Sequence, residues 1–315
     1  MSNFIESKNP DYKNIKSDKY TIGVLKALSQ DNCIGLIALS ECTKNMQLEM
    51  LKAFPEFETI LKSKITVLHP PQKLLINSID QKGLSYEKDE ALRFIFIGRD
   101  FLRKGGSEIL KVFKEFSNDE QYKFELILIT DINDKENFLF FNQKDIDNIN
   151  NIISENPKWI KHYKELSNDK VLELIIKSHI GLLPTWMDTY GFSVLECQAG
   201  GCPVITTDIR ALTEINNEEL GWLIKFPANK LKHPIYESKK EFEICQEIIE
   251  NGLRNILKDV FQNKQKIKEK AEASLNSIKT NHDEKKYTNQ LKEIYEQKAF
   301  QEINKFHRKE LTFSS

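Results

Sequence analysis

Short apolar runs alternate with amphipathic segments along most of the chain, and this pattern predicts βα units built around a parallel sheet. In the amino-terminal part, apolar runs at 34–39 and 64–68 predict two buried strands, with a helix over 43–54 between them. A clearer series begins at Leu92. Its predicted strands are 92–97, 123–130, 159–166, 180–184, 203–206 and 221–224. The fold class is therefore predicted to be α/β.

The segments between these strands carry apolar residues at helical spacing. Predicted helices cover 107–116, 145–153, 168–177 and 191–200, with Ser167 as the N-cap of the third. Residues 22–28 predict a helical turn, and 241–300 predict two or three long helices that are rich in lysine and glutamate. From His69 to Glu90 the chain is polar and broken by prolines, which is typical of a linker.

Composition and charge narrow the class of protein. The chain has 315 residues, which favours about two domains, and 46 Lys and Arg against 47 Asp and Glu leave a net charge of −1. That balance argues against a nucleic-acid binder that works by bulk charge. Five cysteines without a C-x-x-C pair argue against a disulfide framework or a zinc site. The polar amino terminus and the short apolar runs predict a cytoplasmic protein with no signal peptide and no membrane span.

The first candidate site follows the strand at 92–97. A loop with three cations, flanked by glycines, leads into a helix and contains Gly98, Arg99, Lys104 and Gly105. Ligands of open α/β sheets bind at the carboxyl ends of strands, and a helix N-terminus favours anions. Arginine binds a diphosphate bidentately and lysine supplies a point charge. A solvated basic turn is the alternative at this segment.

The second candidate site follows the strand at 180–184. Asp188 precedes a predicted helix and Glu196 lies on it. Gly191 would let a ligand approach the backbone where the first helical N–H groups lack partners. A carboxylate such as Glu196 can accept two hydrogen bonds from a vicinal diol, as a ribose presents. The alternatives are an ordinary helix-start acid for Asp188 and a solvated helix face for Glu196.

Together the two segments resemble the family 4 glycosyltransferases, a retaining group with GT-B architecture. The first matches Gly-Arg-x4-Lys-Gly, and the second matches the E-x7-E motif and its Ala-x-Gly-x-Pro-Val tail at Asp188, Glu196, Ala199, Gly201, Pro203 and Val204. The resemblance covers residues 60–230 well. It implies one complete Rossmann-like carboxyl-terminal domain and a partial amino-terminal Rossmann-like domain. The implied division is a partial acceptor-side domain (1–75), a linker (76–90), a nucleotide-sugar-binding domain (91–285) and a terminal helix and tail (286–315).

The resemblance also implies roles for individual residues. Arg99 and Lys104 would bind the donor diphosphate and stabilise the charge of the leaving nucleotide. Asp188 stands where the family has its first glutamate, near the donor sugar, and Glu196 would hold the ribose. The implied catalytic residues are Arg99, Lys104 and Asp188, and the implied donor-binding residues are Glu196, Gly98, Leu166 near the base, and the backbone of Gly191, Phe192 and Ser193.

The implied activity is transfer of a hexosyl group from a UDP- or GDP-sugar to a glycan or lipid-linked acceptor in cell-surface polysaccharide synthesis. The resemblance implies no metal and no other cofactor, and it implies a cytoplasmic protein that could lie at the inner face of the membrane. Two departures leave alternatives open. Asp188 is one methylene shorter than glutamate. The amino-terminal domain of the family supplies a glycine-rich loop and often a histidine near the donor sugar. The part of this chain before the linker shows no glycine-rich loop, and His69 at the linker is a poor substitute for that histidine. The alternative is a nucleotide-sugar-binding half or remnant that is inactive without a partner chain carrying the acceptor domain. A sugar-nucleotide epimerase with the same architecture is a further alternative.

Overall fold

The computed structural model describes residues 19–87, 90–132 and 140–296. The chain divides into two compact units. Of the described residues, 19–71 and 282–296 belong to the first unit, and those within Gln72–Asn281 belong to the second. No helix in the described ranges is both long and apolar enough to cross a membrane.

The first unit contains a two-stranded parallel sheet, in which Leu36 is paired with Ile65. Its elements are α1 (Lys19–Ser29), β1 (Leu36–Ala38), α2 (Glu41–Leu51), α3 (Pro55–Lys64) and β2 (Ile65–Val67), and residues 284–296 are also helical. Both predicted strands are present but shorter. The helix predicted over 43–54 ends at Leu51, because Pro55 starts a second helix that the sequence analysis did not predict. Residues 19–29 form a full helix rather than the predicted turn.

The second unit is built on a six-stranded, fully parallel sheet with the order β5-β4-β3-β6-β7-β8. Its strands are β3 (Leu92–Ile97), β4 (Phe124–Ile129), β5 (Ile160–Tyr163), β6 (Ile180–Leu183), β7 (Val204–Thr207) and β8 (Trp222–Ile224). Its helices are α4 (Gly106–Phe116), α5 (Gln143–Glu155), α6 (Asn168–Ile176), α7 (Phe192–Ala199), α8 (Leu212–Ile215), α9 (Lys239–Gln262) and α10 (Gln265–Asn281). The predicted α/β class is confirmed.

Central strands of this sheet are buried on both faces, which explains their continuous apolar sequences. Phe94, Ile95 and Phe96 of β3 are fully buried. Phe94 packs edge-on against Phe113 of α4, with ring centroids 4.9 Å apart. Helix α9 adds Phe261, whose ring lies 6.1 Å from that of Phe94. The strand order reverses between β3 and β6, so their carboxyl ends border the crevice where ligands of such sheets bind.

Some predicted boundaries differ from the structure. Strand β5 ends at Tyr163, so Leu166 lies in a loop. Ser167 occupies the N-cap position of α6, but its side chain accepts no capping hydrogen bond. Residues 76–90, predicted as a linker, belong to the second unit. They pack there because apolar side chains bury against α10, in a cluster that includes Ile76, Ile79, Ala271 and Leu275.

The carboxyl-terminal helices fall on both sides of the division between the units. The structure places α9 and α10 in the second unit and the described residues from His282 onward in the first. The boundary therefore lies between Asn281 and His282, whereas the predicted boundary lay between residues 285 and 286. Residues 1–18 and 297–315 lie outside the described ranges. The assignment of acceptor and donor roles to the two parts of the chain stays a prediction.

Candidate active site

Two loops meet at the carboxyl edge of the parallel sheet, where β3 and β6 are neighbours. The first runs from Gly98 to the start of α4, and the second runs from Pro184 to the start of α7. Both sequence-predicted motifs therefore lie at the topological switch point, next to two helix N-termini. This convergence follows from the topology. All strands of the sheet are parallel and share one carboxyl edge, and β3 and β6 are neighbours in it.

Lys104 and Asp188 form an ion pair across the two loops, with Nζ 3.3 Å from Oδ2. Their side chains are only 17% and 13% exposed, so solvent screens the pair less than it screens a surface pair. Gly98 makes room for the lysine. A Cβ atom on Gly98 would lie 2.4 Å from Lys104 Cδ, so any larger residue would displace that side chain.

Asp188 also shapes the turn into α7. Its Oδ1 accepts hydrogen bonds from the backbone N–H groups of Tyr190 (3.2 Å) and Gly191 (3.0 Å). Gly191 has φ +92°, a left-handed conformation that favours glycine, and a Cβ there would lie 2.5 Å from Leu212 Cδ2. One carboxylate oxygen thus orders the turn, while the other faces Lys104.

Helix α7 begins beside this turn and carries the remaining predicted donor-binding groups. The N–H groups of Phe192 and Ser193 belong to its first turn, where helical N–H groups lack intrahelical partners. The Phe192 ring is 52% exposed and tilted against Tyr190, with centroids 5.3 Å apart. Glu196 lies one turn further along and is half-buried. Burial raises the pKa of its carboxyl group, and the nearby charge of Lys104 partly opposes that rise.

Arg99 and Leu166 occupy more peripheral positions. Arg99 is exposed directly after β3, and its carbonyl accepts a hydrogen bond from Thr130 Oγ1 at 3.0 Å. Its guanidinium forms no ion pair with any residue that the structure describes. Leu166 is half-buried in the loop after the edge strand β5, two strands from β3. Within the described ranges, no group of three or more His, Cys, Asp or Glu residues is arranged to hold a metal ion.

Arg103 joins the two loops, a role that its position among the three cations of the first loop did not indicate. Its guanidinium hydrogen-bonds to the carbonyl of Met187 and to the carboxylate of Asp100. Its own carbonyl accepts from Trp186 N (2.9 Å) and from Thr185 Oγ1 (3.1 Å). Sequence spacing gives no signal for these contacts, because the three partners that join the loops, Thr185, Trp186 and Met187, lie in the other loop.

A buried carboxyl group lies behind the second loop. Glu108, in the first turn of α4, accepts hydrogen bonds at Oε1 from Trp186 Nε1 (3.2 Å) and Gln246 Nε2 (3.3 Å). Burial raises its pKa to about 7. The Trp186 ring in turn stacks on Phe242, with centroids 4.3 Å apart. This group also escaped the sequence analysis, because acidic residues in the first turn of a helix are usually solvent-exposed.

Residues 78–255, more than half of the chain, match the family model of the glycosyl transferases group 1. The chain belongs to this family. The predicted family is thereby confirmed, and the match includes every predicted site residue.

Comparison with individual proteins gives the same result for the fold. A curated relative, an uncharacterized 41.2 kDa protein in the cps region of Klebsiella pneumoniae, is 24% identical over 62% of this chain and 52% of its own length. A sucrose-phosphate synthase from Thermosynechococcus elongatus has a TM-score of 0.60 and 14% identity over 89% of this chain and 62% of its own. Anabaena Alr3699/HepE, solved with UDP and glucose, has a TM-score of 0.57 and 15% identity over 83% and 62%. The GT-B fold class is confirmed, and the chain spans about half the length of the curated relative.

Proposed function

We propose that the chain is a retaining glycosyltransferase that moves a hexosyl group from a UDP- or GDP-sugar to a glycan or lipid-linked acceptor. One observation carries the proposal. A cation from one motif and a carboxylate from the other lie 3.3 Å apart at the switch point, beside two helix N-termini. Cations and free backbone N–H groups suit a diphosphate, and carboxylates suit the hydroxyl groups of a sugar.

The charges suggest how a donor would lie. Arg99, which is exposed, and Lys104 would receive the diphosphate, together with the N–H groups at the start of α7. Asp188 would repel phosphate oxygens, so its Oδ2 is better suited to the hydroxyl groups of the sugar. Glu196, one turn along α7, is available to the ribose diol. Lys104 would then exchange its pairing with Asp188 for a contact to the diphosphate, at least in part.

Transfer would break the bond between the anomeric carbon and the β-phosphate oxygen and would form a bond from that carbon to the acceptor oxygen. Negative charge develops on the departing phosphate, where Arg99 and Lys104 would stabilise it. For retention, the acceptor attacks from the face that the diphosphate leaves. The departing phosphate oxygen can then take the proton of the acceptor hydroxyl. The chain's own cations would supply the charge stabilisation in this scheme, and the proposal includes no metal.

The comparisons support the finer points of the proposal. The Anabaena structure contains UDP and glucose, which supports a UDP-sugar donor here. The Klebsiella relative belongs to a cps region, which supports a role in surface polysaccharide synthesis. The chain covers 62% of both solved structures and 52% of the Klebsiella relative. In a second version of the proposal, the chain binds the donor but turns over only with a partner chain that supplies the acceptor side.

A nucleotide screen tests the proposal. Thermal shifts are measured with UDP, GDP, ADP and their sugars, and release of nucleotide from the best sugar donor is then followed. A ligand at a hundred times its dissociation constant should stabilise the fold by about 2.7 kcal/mol. Turnover by the chain alone supports the first version, and turnover only after addition of an acceptor-domain partner supports the second. Absence of binding by every nucleotide and nucleotide sugar at millimolar concentration contradicts both.

A further inference from the structure

We propose that Arg103 is a positioning residue that sets the distance between Lys104 and Asp188 without touching the donor. This inference rests on the proposed function. Arg103 precedes Lys104 in the chain, and Met187, whose carbonyl Arg103 binds, precedes Asp188. The link between the loops is therefore one residue away from each member of the ion pair.

Several hydrogen bonds converge on this link. The Arg103 carbonyl accepts from Trp186 N and Thr185 Oγ1 of the second loop, while its guanidinium donates to Met187 O. The loops also approach closely at Gly105, where φ is +82° and a Cβ would lie 2.2 Å from Pro184 O. Backbone and side chain of one residue thus fix the same three-residue stretch before Asp188.

Asp100 determines which groups the Arg103 guanidinium is free to bind. Its carboxylate pairs with Arg103 Nη2, and Arg103 is itself 26% exposed. The pairing neutralises the arginine and leaves Nη1 for Met187 O. The planar guanidinium binds the two groups through separate nitrogens in a fixed geometry, which an ammonium on a flexible stem does not reproduce, so lysine is a poor replacement. Because the Arg103 guanidinium is paired and partly buried, it holds the neighbouring ion pair in position and does not serve as a further cation for the diphosphate.

The test compares Arg103→Met, Arg103→Lys and Asp100→Asn with the wild-type chain. Equilibrium affinity for UDP or GDP is measured by calorimetry, using whichever nucleotide the wild type binds, together with thermal stability. We expect Arg103→Met to weaken nucleotide binding at least tenfold, the scale of a lost hydrogen bond to a charged group, because both loops then lose the positions that bring Lys104 and the start of α7 to the diphosphate. We expect Arg103→Lys to restore little of this affinity. Arg254→Met is the matched control. Arg254 is 25% exposed and binds Glu115 through two hydrogen bonds, so its loss should lower stability and leave affinity unchanged.

Asp100→Asn separates positioning from direct contact. If Arg103 positions the loops, loss of its partner weakens nucleotide binding, because the guanidinium is no longer held towards Met187. If Arg103 instead contacts the donor, the freed cation tightens binding, and the proposal is overturned. Wild-type affinity in Arg103→Met also overturns it. A wild-type chain that binds no nucleotide overturns the proposed function and this inference together. If the wild type binds nucleotide and only the variants give the contrary results, the inference alone fails, so the two failures are distinguishable.

Discussion

Lys104 Nζ lies 3.3 Å from Asp188 Oδ2, although the two residues belong to different motifs and follow different strands. The pair lies where the strand order of the sheet reverses. It therefore assembles only when the chain is folded, and any anion that binds Lys104 competes with Asp188. Removing the charge of Asp188 should therefore change the affinity of the site for an anionic ligand.

Asp188→Asn is expected to tighten binding of the free nucleotide and to slow transfer. The amide keeps an oxygen that can accept the N–H groups of Tyr190 and Gly191, but it removes the negative charge beside Lys104. We expect roughly a three- to tenfold gain in UDP affinity, the scale of one screened charge pair. Calorimetry with UDP measures it, and initial rates with a UDP-sugar measure the loss of transfer. Weaker UDP binding by Asp188→Asn would contradict the competition.

Gly191→Ala is expected to destabilise the second unit by about 1–3 kcal/mol, because φ +92° is strained for alanine and the new Cβ would meet Leu212. Urea denaturation measures the change in the free energy of unfolding. Gly23→Ala is the matched control. A Cβ at Gly23 meets nothing within 4 Å inside helix α1, so this change should stabilise by up to about 1 kcal/mol. Equal effects of the two substitutions would refute the strain at Gly191.

The buried carboxyl group of Glu108 should make the free energy of unfolding fall as the pH rises from acidic to neutral. Burial raises the pKa of its carboxyl group in the folded state from the ordinary 4.5 to about 7, so the folded chain holds a proton that the unfolded chain releases in this range. Stability is therefore greatest below the unfolded pKa and falls as pH rises through the folded pKa, by up to about 3 kcal/mol. Glu108→Gln should remove this part of the pH dependence. Urea denaturation at pH 5 and pH 8 checks it, and parallel pH profiles for the two proteins would exclude the effect.

Much of the second unit was predictable from the sequence. Strands buried on both faces are continuous apolar runs, and all six predicted strands of this sheet are present within a few residues. The position of both motif loops at the carboxyl edge also followed, since parallel strands place the loops after them at one edge. The ion pair of Lys104 with Asp188 did not follow, because it depends on β3 and β6 being neighbours in the sheet. The functions of Arg103 and Glu108 did not follow. Their partners, Met187 O and Trp186 Nε1, come from a distant loop whose conformation leaves no periodic signal in the sequence.

Arg99 would contact a nucleoside diphosphate bound at the cationic loop, so its removal tests whether the nucleotide binds there. Arg99 is exposed and forms no ion pair with the residues that the structure describes, so Arg99→Ala should leave stability nearly unchanged. Lys123→Ala is the charge-matched control, because Lys123 is an exposed cation at the opposite edge of the same sheet.

The deciding measurement is the calorimetric dissociation constant for UDP or GDP in the wild type and these two variants. We expect saturable binding by the wild type, at least tenfold weaker binding by Arg99→Ala, and wild-type affinity in Lys123→Ala. Equal affinity in Arg99→Ala and the wild type, or no binding of either nucleotide at millimolar concentration, would contradict this expectation.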